Sequence, residues 1–279
     1  MAIAIERGKL IFRKTERELR RLSTQQPDQS VHNFRTTTRR LQTLLQNLVL
    51  VHNRNHKKLL KALNRLRKAA GKVRDIDVQL SALRSLKAAL EPRRKTRFIQ
   101  ELLEVRAKQE SRLYKLLKKQ DFRELQKRLK RASKDVAFDI CRDPLLVARE
   151  ILTSVRPATP ANEETLHHYR VAVKRARYAA EFAPPSAESK EFIAELKRLQ
   201  DALGNWHDWF TLTRSAGGHL GDVTQSSLVA ALHNVTRAKF RQAVAAVSAV
   251  QKNASSKTAG DRKPGARPAQ SLKSHEAAA

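Results

Sequence analysis

VHNFRTTTRRLQT (residues 31–43) and LHHYRVAVKRARY (residues 166–178) superimpose position by position. Val31 falls over Leu166, His32 over His167, Phe34 over Tyr169 and Arg35 over Arg170; Arg39 then falls over Lys174 and Arg40 over Arg175. Wound at about 100° per residue with His32 at zero, Arg35 lies near ~300° and Arg39 near ~340°. Val31, Phe34, Leu41, Leu44, Leu45 and Leu48 occupy the opposite arc, between about 120° and 260°. The second copy gives the same picture: His167, Arg170, Lys174 and Arg177 form a stripe, and Leu166, Tyr169, Val173 and Ala176 point inward. Like charges on one helical face repel, and neither stripe carries the i,i+4 carboxylates that would offset them. Both stripes are expected to meet an anion, and packing the halves together would turn them into a shared groove.

A second pair recurs in the same order. LNRLRKAAGKVRDIDV (residues 63–78) matches LKRLQDALGNWHDWFT (residues 196–211), with Gly71 over Gly204 and Asp75 over Asp208. The spacing is 135 residues from His32 to His167 and 133 from Gly71 to Gly204. A repeat this long implies two related helical halves rather than a solenoid of short units. Gly71 and Gly204 are expected to end their helices in the left-handed conformation, with Asp75 and Asp208 capping or orienting the next segment. In the helix after the first motif, Lys57, Lys61, Arg65, Lys68 and Lys72 align within about 80° of arc, opposite Leu59, Leu63, Leu66 and Ala70. The matching helix carries Lys190, Lys197 and Arg198, interrupted by Asp201.

The 279 residues, 41% apolar and 5% aromatic, suffice for a real core in one large domain or two small ones. A formal charge of +30 favours nucleic acid, an anionic membrane surface or polymeric phosphate. From Lys252 onward there are six Lys/Arg and two Asp/Glu, so the tail holds +4 and the body keeps +26. Residues 1–252 read as one helical domain with halves of about 1–140 and 141–252. Residues 253–279, rich in Ser, Ala, Pro, Gly and Lys, read as a disordered basic tail. No apolar run approaches the ~20 residues of a membrane span. MAIAIERGKLIFRKTE, at the start, has no signal-peptide core, and the single Cys141 suits a reducing interior. A cytoplasmic protein without membrane attachment is expected.

The body reads as all-α. RFIQELLEVRAKQESRLYKLLKKQ (residues 97–120) places Phe98, Leu102, Val105, Leu113 and Leu116/Leu117 at helical spacing. Pro27, Pro92, Pro144, Pro157, Pro160 and Pro184–Pro185 fall between periodic segments, and Thr159–Pro160 has the pattern of an N-cap followed by proline.

Other candidates carry weaker chemistry. His52 and His56 stand at i,i+4 but lack the further ligands a closed zinc site needs. Asp75 and Asp77 are expected to cap and to pair with Arg74 rather than to hold a metal. Trp206 and Trp209 flank His207; they suit packing between the halves better than stacking on bases. Cys141 reads as a small core residue. Neither a phosphate-cradling glycine loop nor a nucleophile–base pair is visible, so binding without turnover, metal or cofactor is expected.

The motifs H-x-x-R-x-x-x-R-R at His32, G-x-x-R-D-x-D-V from Gly71 to Val78 and H-x-x-R-x-x-x-K-R-x-R-Y from His167 to Tyr178 carry a resemblance. With LQDALG from Leu199 and Asp208 after it, they resemble the CHAD domain, the conserved histidine α-helical domain, from about residue 5 to 250. The resemblance implies two pseudo-symmetric four-helix halves around a basic central groove, binding of inorganic polyphosphate, and location on polyphosphate granules. Carried over, the binding residues are His32, Arg35, Arg39, Arg40, Arg74, His167, Arg170, Lys174, Arg175 and Arg177. The flanking helices add Lys61, Arg65 and Lys197. Two positions depart from the family pattern: Gln42 stands where a further arginine is common, and His207 replaces the counterpart of Arg74. The E-x-E-x-K motif of fused triphosphate-tunnel hydrolases is absent, as in a stand-alone module. A nucleic-acid-associated architectural protein is the rival reading, and a tri- or polyphosphatase a weaker third. Alanine at both Arg35 and Arg170 is expected to abolish most binding and leave the fold intact.

Overall fold

The computed structural model describes residues 2–24, 28–51, 53–86, 91–119, 121–139, 141–155 and 162–260. The helices among them are α1 (Ala2–Ser23), α2 (Asp28–Asn47), α3 (Arg54–Ser85), α4 (Pro92–Lys118) and α5 (Phe122–Asp135), then α6 (Pro144–Thr153), α7 (Glu163–Ala180), α8 (Ala187–Leu220) and α9 (Ser227–Gly260). The sole departure from helix and loop among these residues is an isolated antiparallel bridge between Val49 and Phe138.

Local chemistry sets most of the boundaries. The side chains of Asn53, Asp121 and Asp143 accept from the first-turn amides of α3, α5 and α6. Pro92 and Pro144 open α4 and α6, where a missing N–H is harmless. Asn162 with Thr165, and Ser186 with Ser189, form reciprocal capping boxes at the starts of α7 and α8. The cap of α7 is therefore Asn162; the expected Thr159–Pro160 start lies outside the described residues, as do Pro27 and Pro157.

The order of helix neighbours repeats. α1 packs on α2, α2 on α3 and α3 on α4; equally, α6 packs on α7, α7 on α8 and α8 on α9. The halves join where α2 meets α7 and α3 meets α8. These are the two pairs of helices that carry the repeated motifs. The first half has an additional helix, α5, which lays Leu125, Leu129 and Ala132 over α1 and α3.

Every residue assigned to the inner arcs of the two motif helices is buried: Val31, Phe34, Leu41, Leu44 and Leu45 on α2 with Leu48 just after it, and Leu166, Tyr169, Val173 and Ala176 on α7. They join one large core with Leu59, Leu63 and Leu66 of α3 and Leu196, Leu199 and Leu203 of α8. A smaller core lies where the two long hairpins meet at their tips, with Ile76, Leu80 and Leu83 of α3, Phe98 and Leu102 of α4, Leu212 and Ala216 of α8, and Leu232 of α9. None of the described helices is long and apolar enough to cross a membrane.

Three expectations need correction. Gly71 and Gly204 do not end helices: α3 runs on to Ser85 and α8 to Leu220. Asp75 and Asp208 are consequently interior helical residues, not caps. Cys141 is exposed rather than part of the core; it sits in the turn before α6, where its N–H donates to Asp139 Oδ1 at 3.1 Å. α9 runs to Gly260. Residues 261–279 lie outside the described residues.

Gly204 stands in open space: a Cβ there would meet nothing within 4 Å. Gly204→Ala is expected to stabilise the protein by about 0.5–1 kcal/mol. In a thermal melt this is a rise of roughly 1–4 °C, given the size of the domain.

Candidate functional site

α2 packs on α3 and α7, and α8 packs on the same two, so the four motif helices close a ring. The polar faces of α2 and α7 enter this ring together with one side of α3 and one side of α8. On α2, Arg35 reaches across to α3. Its Nη1 donates to the Gly71 carbonyl at 2.8 Å and to Asp75 Oδ1 at 3.1 Å. The guanidinium carbon lies 3.6 Å from where a Cβ on Gly71 would be. A side chain at position 71 would therefore meet the guanidinium in ordinary van der Waals contact. The equivalent contact in the second half is looser: Arg170 Nη2 lies 3.9 Å from Asp208 Oδ1, and Arg170 Nε is buried without a hydrogen-bond partner.

The stripes therefore do have carboxylate partners, supplied by other helices and, for Arg177, by Glu181 four residues on. Asp75 pairs with Arg35 rather than with Arg74, and Asp77 pairs with Arg106 at 2.6 Å. Arg40 is held by Glu181, with Nε 2.6 Å from Oε2 and Nη2 3.1 Å from Oε1. Arg177 lies 3.5 Å from the same carboxylate, and Arg40 and Arg177 each stack 5.4 Å from the Tyr178 ring. Burial alone would lower the pKa of Arg40, but the hydrogen bonds and charge of Glu181 outweigh it and raise it. Alanine at Arg35 and Arg170 would thus remove braces between helices as well as charge, and is not the neutral change the helical projection suggests.

A cluster of cations lies between these braces. Arg39, Arg67, Arg170 and Lys174 line a cavity of about 150 Å³ together with Gln42, Gln46, Arg175 and Tyr178. Burial, and then the charges of Arg170 and Arg39, bring the Lys174 ammonium down to about 7. Burial, then Arg39 and Arg35, bring Arg67 down to about 10. Arg39 and Arg170 are lowered by burial first, and partly held up by Tyr178 and Asp75 in one case and by Asp208 and Asp75 in the other. His32 is lowered by burial, then by Arg74, Arg35, Lys174 and Arg40. His167 is lowered by burial and then by His207, whose ring centroid is 5.1 Å away. Each shift expresses the same condition: positive charge drawn from four helices into a partly desolvated space, with too few acids to balance it.

The structure thus brings together His32, Arg35, Arg39, Arg40, Arg74, His167, Arg170, Lys174 and Arg177. Arg175 is exposed at the cavity's edge. Lys61 and Arg65 are exposed and sit about 120–160° around α3 from Arg67, outside the ring. Lys197 lies on the ring side of α8 but is exposed. Arg67 and His207 are the site residues that the sequence reading passed over. Arg67 follows from the periodicity in retrospect, because it stands four residues before Gly71 and seven before Arg74.

The alternative chemistries fare less well. Trp206 is buried against Phe210 and Phe240, and Trp209 packs in the smaller core. His56 is buried in α3, and its neighbour His52 lies outside the described residues. No group of three or more His, Cys, Asp or Glu among the described residues is placed to hold a metal.

The CHAD domain family matches this sequence over residues 10–216. The chain belongs to that family. As a CHAD domain it has the fold of PptA from Streptomyces chartreusis, at 15% identity over 90% of this chain and 97% of that one, with a TM-score of 0.65. It is also similar to the CHAD domain from the plant Ricinus communis, at 16% identity over 88% and 91% of the two chains, with a TM-score of 0.59. At these identities the likeness is one of fold. No curated protein sequence matches significantly.

Proposed function

We propose that this CHAD domain binds inorganic polyphosphate within the four-helix ring, without turning it over. The observation carrying the reading is the cluster of Arg39, Arg67, Arg170 and Lys174, whose charges are held close together and partly out of water, with only Asp208 and Asp75 near enough to offset them. An isolated protein gains nothing from such an arrangement; a string of phosphate oxygens relieves the repulsion and receives charge-assisted hydrogen bonds. The family resemblance points to the same ligand. Location in the cytoplasm, on polyphosphate granules, is part of this proposal.

Nucleic acid is the competing partner, on net charge. The burial of Trp206 removes the side chain best suited to stack on bases, which favours the simpler polyanion. A long chain engages several cations at one ordering cost, so affinity is expected to rise by about 100-fold or more from triphosphate to long-chain polyphosphate, as read by calorimetry. Equal affinity for short and long chains would sink the ring as the binding site. Competition at equal phosphate concentration and physiological salt decides between the polymers, because salt dependence alone is steep for both. If RNA or DNA displaces polyphosphate, the nucleic-acid reading takes its place. Metal-dependent release of orthophosphate would overturn the absence of turnover.

A further inference from the structure

Lys174 is unlike the other lysines. It is half-buried in α7 and lines a cavity with three guanidiniums, those of Arg39 from α2, Arg67 from α3 and Arg170 from its own helix. The lysines of the α3 stripe, Lys61, Lys68 and Lys72, are exposed. Asp208 and Asp75 are the acids whose charges reach the cluster, and both already face an arginine.

We propose that Lys174 is an acylation site for small acyl phosphates, whose phosphate group docks on Arg39, Arg67 and Arg170 and brings the carbonyl carbon to Nζ. This rests on the reading that the cavity accepts phosphate oxyanions. The Nζ lone pair forms the N–C bond, and the bond from the carbonyl carbon to the bridging oxygen breaks. Orthophosphate leaves with that electron pair and takes up the proton shed by nitrogen. The products are an amide and inorganic phosphate, and no oxidant, reductant or metal is required. The guanidiniums stabilise the leaving dianion as its charge develops.

Two features favour Lys174 over its exposed counterparts. Docking raises the local concentration of the reagent. The amine is also available: at pH 7 roughly half of it is unprotonated, against about one in two thousand for a lysine at its reference value of ~10.4. Acylation would delete the central cation of the ring, and so would switch phosphate binding down by a chemical mark that reports acyl-phosphate supply.

The test is acetyl phosphate incubated with the full chain at pH 7.5, with peptide mass spectrometry following acetylation at each lysine over time. Acetic anhydride, which lacks a phosphate group, is the parallel reagent. The expected result is that acetyl phosphate modifies Lys174 about tenfold or more faster than Lys61, Lys68 and Lys72. The preference should also be several times larger with acetyl phosphate than with the anhydride. Modification of Lys174 no faster than of the exposed lysines overturns the proposal. An equal preference with both reagents overturns it too, since docking then contributes nothing. Long-chain polyphosphate added beforehand should protect Lys174. Selective modification without protection supports the acylation site and counts against polyphosphate as the ligand, so the two readings fail separately.

Discussion

Methionine at both Arg39 and Lys174 is expected to weaken binding of long-chain polyphosphate by about 10²–10⁴-fold, because each removes a charged hydrogen bond worth roughly 1.5–3 kcal/mol. Both side chains line the cavity, and neither forms an ion pair with a carboxylate among the described residues, though the charges of Asp75 and Asp208 reach them. Methionine keeps most of the stem packing that alanine would lose. Thermal stability should hold or rise, because two mutually repelling groups are gone. The control is truncation after Gly260. Residues 261–279 contain Arg262, Lys263, Arg267 and Lys273 against Asp261 and Glu276, so their removal also takes away two positive charges. If binding followed total charge, the two variants would weaken it equally. The placement of the cations predicts a truncation effect within about threefold, as befits charges screened by salt. Filter retention with labelled polyphosphate, run on both proteins at one salt concentration, makes the comparison.

Acidification from pH 8 to pH 6 is expected to tighten polyphosphate binding, with net uptake of protons. Burial and neighbouring cations hold Lys174, His32 and His167 below their ordinary values in the free protein. A polyanion among them reverses both effects in part, so the bound form carries more protons and affinity rises as pH falls. Each proton taken up contributes up to about tenfold per pH unit. Calorimetry in two buffers of different ionisation enthalpy reads the uptake directly, and Lys174→Met should reduce it. Affinity unchanged across this range, or proton release on binding, would contradict this account of the site. Stability of the ligand-free protein obeys the same linkage. Lys174 has a folded-state value of about 7, below its ordinary 10.5; its penalty is full below pH 7 and is relieved as pH climbs towards 10.5. The free protein should therefore gain stability between pH 7 and pH 10, a rise that Lys174→Met removes.

The buried faces of α2 and α7 were legible in the sequence because the periodicity of an amphipathic helix records its own burial. So was the duplication, which two motifs in fixed order establish. What the sequence hid was contact between distant segments. The stripes looked devoid of acids because i,i+4 reasoning sees one helix at a time, whereas Asp75 and Asp208 arrive from other helices; Glu181, four residues after Arg177, was within reach of that reasoning and was missed. On α3 the dense lysine stripe drew attention to Lys61 and Arg65, although the ring-facing cation is the solitary Arg67. Gly71 was misread for a related reason. Glycine weakens a helix interior in isolation, yet α3 is held through Gly71 by its packing on α2, α4 and α8. Cys141 was assigned to the core on residue type, but a short turn before α6 had no core to offer it.

The closure of α2, α3, α8 and α7 into a ring bears on kinetics. The small core at the hairpin tips ties α3 to α8 just beyond Asp75 and Asp208, which braces that side of the ring. If the proposed ligand enters the ring while that brace holds, a chain threads in by one of its termini. Association should therefore scale with the concentration of free ends, so that at equal total phosphate a preparation of shorter chains loads faster while longer chains, once threaded, leave more slowly. Cyclic metaphosphates should be poor ligands whatever their charge, for a closed loop has no end to insert.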